Sequence, residues 1–139
     1  MSKRVPFGKH EVGGDLPVYI VFEAGATHDG LGTAKKLVDM AVDAGADAVK
    51  FQVVDVDKLV PDPSVMFTYE ALLDKKTGRR ETVTESRNTI LKRREMTPAD
   101  WKQLIHYCKE RNIEFFSTAS SAEKLDFLAN LGVGSVKIS

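Results

Sequence analysis

PVYIVFEAGATHDGLGTAKKLVDMAVDAGADAVKFQVV, residues 17–54, decides the fold. Its first eight residues run β-branched and aromatic side chains together, which predicts a strand buried on both faces. Alternation puts Tyr19, Val21 and Glu23 on one face and Val18, Ile20 and Phe22 on the other. Gly25 and the polar run Thr27-His28-Asp29-Gly30 break it. Over 31–44, Leu31, Ala34, Leu37, Val38, Ala41 and Val42 recur at helical spacing, with Lys35, Lys36, Asp39 and Asp43 opposite. Thr33 or Asp29 is the expected cap and Gly45 the expected stop. Residues 46–54 then predict a second buried strand after a loop of only a few residues. Strand, helix and strand joined this tightly make a βαβ unit, whose two strands run parallel.

Upstream, residues 1–16 are polar and glycine-punctuated, a short hairpin or arm expected to cover a sheet edge. Downstream, 55–84 is the least legible part of the chain. Pro61 and Pro63 break it, and Lys75-Lys76-Thr77-Gly78-Arg79-Arg80 reads as a solvated charge run. A substrate loop and a mobile insert are both open there. Helix signals return at about 85–94, and more clearly at Thr97, with Pro98 in first helical position and Asp100 three residues past the cap. Trp101, Leu104, Ile105 and Cys108 share a face, so Cys108 reads as core rather than nucleophile. Asn112 ends the helix. A strand is expected at 113–118, a helix at 121–131 with Ala122, Leu125, Leu128 and Leu131 inward and Gly132 as its stop, and a strand at 134–138. The order β-α-β-(loop)-α-β-α-β means a parallel α/β architecture, either half of a (β/α)8 barrel or a four-stranded open sheet.

The 139 residues carry 20 Lys+Arg and 20 Asp+Glu, a formal net charge of zero. That balance argues against a general nucleic-acid partner. No apolar run approaches the ~20 residues needed to span a bilayer, so no membrane partner is expected. The first ten residues lack the apolar stretch of a secretory signal. A single cysteine cannot form an internal disulfide, so a cytoplasmic setting is expected. Neither a Walker loop nor a GxGxxG pattern is present, which leaves no support for a nucleotide site. His28, in the loop after the first strand, is more readily structural than a metal ligand. His10 and His106 look incidental, and nothing has metal-ligand spacing.

One echo in the chain carries chemistry. Gly45-Ala46-Asp47-Ala48-Val49-Lys50-Phe51 matches Gly132-Val133-Gly134-Ser135-Val136-Lys137-Ile138: a helix-ending glycine, then a lysine five residues on inside an apolar strand. The glycine is ordinary turn chemistry. The lysine is not, because a buried ammonium costs several kcal/mol unless it has a partner or ligand. Alternation turns Val49 and Phe51 toward the helices and Lys50 and Gln52 to the other side, and the same argument places Lys137 inward. Glu23 and Thr118 occupy matching positions near the carboxyl ends of their strands, where parallel α/β proteins keep their sites. A ligand site is one reading; mutual neutralisation of Glu23 and a lysine is the other. Two lysines, a threonine and backbone amides suit a small anion carrying both phosphate and carboxylate.

Val21-Phe22-Glu23-Ala24-Gly25, Thr27-His28-Asp29-Gly30, Ala44-Gly45-Ala46-Asp47-Ala48-Val49-Lys50-Phe51-Gln52, Glu114-Phe115-Phe116-Ser117-Thr118 and Val136-Lys137-Ile138 together resemble the N-terminal half of the sialic acid synthase family, the N-acetylneuraminate synthases with their pseudaminic, legionaminic and spore-coat polysaccharide relatives. The resemblance implies a TIM (β/α)8 barrel, of which residues 17–139 supply roughly the first four strand-helix units, incomplete at the C-terminus. It implies condensation of phosphoenolpyruvate with an N-acetylated amino sugar to give a nine-carbon 2-keto acid. Lys50, Thr118 and Lys137 would hold phosphoenolpyruvate, Gln52 and Glu23 would face the sugar, Glu23 would move a proton, and Ser86 would be a further contact. A divalent metal, manganese or magnesium, is implied for the whole enzyme, with ligands outside this chain. A homo-oligomer is expected, as is inactivity of these residues alone. A non-catalytic anion-binding module and a sister phosphoenolpyruvate aldol enzyme using a phosphorylated aldose remain the alternatives. The chain departs from the family's pattern at Ala24, Thr27, Asp29 and Ala119, which leaves the sugar open, as is the match of Ser139 to the family's anion-binding serine.

Overall fold

The computed structural model describes residues 3–138, so Ser139 lies outside the described residues. In chain order the elements begin with β1 (Arg4–Phe7), β2 (His10–Gly13), β3 (Val21–Gly25), α1 (Leu31–Asp43) and β4 (Ala48–Gln52). There follow α2 (Val56–Leu59), β5 (Met66–Asp74), β6 (Arg79–Ser86) and α3 (Arg87–Lys92). The last are α4 (Pro98–Glu110), β7 (Glu114–Ala119), α5 (Ala122–Asn130) and β8 (Val136–Ile138). They fall into two units: one joins the chain up to Val53 to the chain from Met96 onward, and the other is Val54–Glu95. No helix among the described residues is long and apolar enough to cross a membrane.

In the first unit β3, β4, β7 and β8 form a parallel sheet in that order. Helix α1 buries Ala34, Val38 and Ala41, as its stripe requires. Its cap is Gly30 without a side-chain bond; the Asp29 carboxylate accepts from the Thr33 hydroxyl instead, so neither expected residue caps the backbone. Helix α4 starts on a reciprocal capping box. Thr97 Oγ1 accepts from Asp100 N at 3.1 Å, and Asp100 Oδ2 accepts from Thr97 N at 3.1 Å. Trp101, Leu104, Ile105 and Cys108 then enter the core. Tyr107 donates to Asp39 Oδ1 at 2.7 Å and Arg111 pairs with the same carboxylate at 3.0 Å, which fixes α4 beside α1. Gly45 and Gly132 sit at φ 72° and 74°, the left-handed turn that ends a helix and that a β-carbon would strain.

Two further expectations fail in this unit. The first strand is not buried on both faces: Val18 and Ile20 precede β3 and are exposed, and only Ala24 and Gly25 of β3 are buried. The reason is position, because β3 is an edge of the sheet. The chain entering it is held from the residue before β4, where Asp47 Oδ2 accepts from Ile20 N at 2.7 Å. Helix α5 is also turned from its expected face. Leu128 is buried and Phe127 and Leu131 pack on the core, while Ala122 and Leu125 are exposed.

The second unit is regular where the sequence suggested a loop. β5 and β6 form an antiparallel ribbon from Met66↔Ser86 to Asp74↔Arg79, with a bulge between Leu72 and Asp74. The Thr68 and Thr84 hydroxyls meet across it at 2.9 Å. Tyr69 donates to Glu85 Oε1 at 2.6 Å, and Arg93 grips Glu85 with two bonds of 2.9 and 2.6 Å, which ties α3 to the ribbon. Glu95 accepts from Val56 N at 2.8 Å, and Lys92 bridges Glu95 and Asp57 at 3.1 and 3.0 Å, which ties α2 to α3.

Candidate functional site

One face of the parallel sheet belongs to the helices. Val49, Phe51 and Val53 of the β4 strand and its exit, with Phe115 and Ala119 of β7, pack there with Trp101 and Leu104. Phe51 stacks on Phe115 with ring centroids 5.8 Å apart. His28 closes this layer, fully buried between Phe51 and Trp101 at 5.9 and 5.8 Å, so it is a core histidine. Burial pushes the Cys108 thiol up to about 12, in keeping with a packing role.

Alternation turns Glu23, Lys50, Gln52, Phe116, Thr118 and Lys137 to the opposite face. The parallel register sets them in two tiers. Glu23 stands beside Lys50, and Lys50 beside Phe116. Two residues further along, Gln52 stands beside Thr118, and Thr118 beside Lys137. The tiers are roughly 6.6 Å apart at ~3.3 Å of rise per residue. Lys50 and Lys137 are therefore on one face, two strands and one tier apart.

Burial separates these groups. Lys50 is 8% exposed, and its ammonium forms an ion pair with the Glu23 carboxylate, whose side chain is 54% exposed. Phe116 is buried beside it, with Phe7 of the β1–β2 hairpin edge-on at 5.1 Å. Phe7 also meets Tyr19 at 5.1 Å, so the hairpin covers part of this face. Its turn favours Gly8, whose φ of 57° a residue with a β-carbon would adopt only under strain. Thr118 Oγ1 is buried with no hydrogen-bond partner among the described residues. A buried hydroxyl left unpaired costs about 1–3 kcal/mol, which marks a place where a polar ligand atom is wanted. Gln52 and Lys137 are exposed. The burial argument thus holds for Lys50 and not for Lys137, because β8 is an edge strand of three residues.

Ser86 lies in the second unit as the cap of α3, where its oxygen accepts from Thr89 N at 3.1 Å. Sequence reasoning missed Phe116, which stands beside Lys50, Phe7, which packs on Phe116, and Ser117, which braces the strand end beyond them. Ser117 Oγ accepts from Val53 N at 3.2 Å and donates to Phe51 O at 3.0 Å, locking the end of β4 to β7. Its signal was a lone hydroxyl in the apolar run before Thr118. A groove of about 320 Å³ lies elsewhere, lined by Lys9, Lys109, Glu114 and Gly134 among others, at the amino ends of β7 and β8. No cluster of three His, Cys, Asp or Glu side chains among the described residues is placed to hold a metal ion.

The profile of the NeuB family matches residues 37–139. The chain belongs to the NeuB family. Among NeuB-like relatives, the spore coat polysaccharide biosynthesis protein SpsE of Bacillus subtilis is 38% identical over 130 residues, which is 91% of this chain and 32% of that protein. The N,N'-diacetyllegionaminic acid synthase of Legionella pneumophila is 37% identical over 127 residues, 91% of this chain and 34% of that enzyme. The chain thus spans about a third of the length of the curated relatives it matches. In structure it resembles the N-acetylneuraminic acid synthetase of Leptospira borgpetersenii, crystallised with citrate, with a TM-score of 0.73 and 28% identity over 99% of this chain and 41% of that one. The crystal structure of B. subtilis SpsE gives 0.67 and 31% over 98% and 33%.

Proposed function

We propose that this chain supplies the phosphoenolpyruvate-holding part of a sialic-acid-type synthase, as roughly the first four strand-helix units of a TIM barrel. The observation that carries the reading is Lys50: a nearly buried ammonium whose one ion pair among the described residues is with a half-exposed carboxylate, on the same face as an unpaired buried hydroxyl one tier along. Relatives that are sialic-acid-type synthases support it.

The proposed reaction joins C3 of phosphoenolpyruvate to the aldehyde carbon of an open-chain N-acetylhexosamine. Water adds at C2, the C2–O bond to phosphate then breaks, and inorganic phosphate leaves a nine-carbon 2-keto acid. Phosphoenolpyruvate carries two anionic groups on a three-carbon skeleton, and both need neutralising without covering C3. Lys50 and Lys137 have α-carbons roughly 12 Å apart, from strand spacings of ~4.8 Å and the one-tier rise. Two lysine side chains reaching inward across that gap bracket one small dianion, with the Thr118 hydroxyl between them as donor. Glu23 gives up Lys50 to the incoming anion and is then free, with Gln52, to face the sugar and carry a proton. The divalent ion implied by the resemblance has no ligand set among the described residues, and no step here runs through one. The setting is a cytoplasmic homo-oligomer.

Lys50→Ala in the full-length enzyme is the test. Turnover falls about 10²–10³-fold if this cation balances charge developing at the phosphate. Near-wild-type turnover removes it from the mechanism. Calorimetry with phosphoenolpyruvate separates the alternatives: binding without turnover when manganese and hexosamine are supplied identifies an anion-binding module, and turnover with a phosphorylated aldose identifies a sister enzyme.

A further inference from the structure

We infer that Ser117 is a positioning residue for Gln52, and through it for the amino-sugar half of the proposed reaction; this role presupposes the phosphoenolpyruvate and sugar face proposed for the sheet. Ser117 is fully buried, and alternation sets it on the helix side of β7 with Phe115 and Ala119. A hydroxyl in such surroundings costs free energy unless it is bonded, and an alanine would fill the place without that cost. The Ser117 hydroxyl bonds to β4 and its exit. Its oxygen accepts from Val53 N at 3.2 Å, and its proton goes to Phe51 O at 3.0 Å, the nearer of two carbonyls in reach; the other is Thr118 O at 3.4 Å. Phe51 O belongs to the peptide unit before Gln52, and Val53 N to the one after it. One hydroxyl thus holds both of the rigid planes that flank the Gln52 α-carbon, which fixes its two backbone dihedrals and the direction in which its side chain leaves.

Gln52 depends on such a hold more than its neighbours on the face. It is the last residue of β4, and the unit Val54–Glu95 begins two residues later. The β3–β4 register ends at Gly25↔Phe51, so among the described residues Gln52 has a strand partner on the β7 side alone. Lys50 lies between Glu23 and Phe116, and Thr118 between Gln52 and Lys137, each with a paired strand on both sides. Gln52 is also exposed, so its backbone directs it more than packing does. Ser117 bonds to β4 at the point where the ladder runs out and the chain leaves the sheet. The consequence is selective. Without the hydroxyl, the amide that faces the sugar loses its bearing, while Lys50, Thr118 and Lys137 keep their register for phosphoenolpyruvate.

The experiment is a double-substitution cycle in the full-length enzyme: the unmodified protein, S117A, Q52A and S117A/Q52A, each assayed by phosphate release from phosphoenolpyruvate with one sugar. That sugar is whichever the unmodified enzyme turns over fastest among N-acetylmannosamine, N-acetylglucosamine and a diacetamido hexose. S117A is expected to lower kcat/KM for the sugar about tenfold, short of the ~10²-fold of a 1 Å misplacement because the β7 ladder remains, and to leave KM for phosphoenolpyruvate within about twofold. In the Q52A background the same substitution is expected to change kcat/KM for the sugar by less than about twofold, because the group it acts through is gone. Hydrogen exchange of the unmodified enzyme reads the hold without any substitution: Val53 N–H is expected to exchange as slowly as the amides within β4. Exchange of Val53 at the rate of an open loop overturns the inference. An S117A loss shared equally by both substrates, a loss undiminished in the Q52A background, or no loss at all does the same. Calorimetry of the unmodified enzyme with phosphoenolpyruvate keeps the levels apart. No binding removes the site reading and this role with it; binding without turnover of any of the sugars removes the sugar step and leaves the anion site; binding and turnover with additive substitutions removes the role of Ser117 alone.

Discussion

Replacing Lys50 by methionine should make the protein more stable while abolishing phosphoenolpyruvate binding. The argument starts from unequal burial: the lysine side chain is 10% exposed and that of Glu23 54%. With one partner half in water, the attraction is worth about 1 kcal/mol, well short of the ~3–5 kcal/mol lost when a fully buried pair is broken. Withdrawing the ammonium from water costs several kcal/mol. Lys50 is therefore a net burden on the fold, and an apolar side chain of similar length should relieve about 1–3 kcal/mol. At about 3 °C per kcal/mol for a chain of this size, Lys50→Met should melt about 3–9 °C higher. Glu23→Gln leaves the same ammonium without its counter-charge and should melt about 3 °C lower. Differential scanning calorimetry reads both, and isothermal titration with phosphoenolpyruvate reads the loss of binding in Lys50→Met. A lower melting temperature for Lys50→Met would refute the reasoning, since the ion pair would then be a structural asset needing no ligand to explain it.

Thr97→Ala removes the capping box of α4 and should cost about 1 kcal/mol in urea unfolding. Ser117→Ala leaves Val53 N–H buried without its acceptor and should cost about 1–3 kcal/mol by the same measurement. Trp101→Ala opens the aromatic layer around Phe51, His28 and Phe115, and a loss of about 3–5 kcal/mol is expected, read from urea unfolding followed by far-ultraviolet dichroism. Alkaline stability follows from two raised groups: Cys108 goes from 9.0 to about 12 and Tyr19 from 10.0 to about 12, both chiefly by burial. Above pH 9 the unfolded chain gives up these protons first, so it binds fewer than the native state and stability falls as pH rises toward 12. Tyr19→Phe should flatten that decline in a pH series of thermal melts.

The parts of the fold that were legible are those where local signals agree with packing. The α1 stripe, the Thr97 cap and the left-handed glycines at 45 and 132 each name one structure, and the βαβ order leaves little choice of topology. The register of the candidate face followed from strand period alone, which is why Glu23, Lys50, Gln52, Thr118 and Lys137 could be placed on one face before their neighbours were known. Burial was harder, because it depends on who stands next in the sheet: β3 and β8 are edges, so Val18 and Lys137 are exposed despite apolar surroundings in sequence. The β5–β6 ribbon escaped for a related reason. Its alternation is interrupted by the adjacent Leu72 and Leu73 at the bulge, and it has no buried face to make the pattern plain. Thr77-Gly78 between two β-rich runs was the turn signal available there.

The aromatic cluster of Phe51, Trp101 and Phe115, with the aliphatic side chains packed on it, is built within the first unit. A segment of forty-odd residues spliced between a strand's carboxyl end and the following helix can lengthen, shorten or be exchanged at little entropic cost, since closure grows only with the logarithm of length. A change in the length of this excursion is therefore a small entropic perturbation to the chain that forms the parallel sheet.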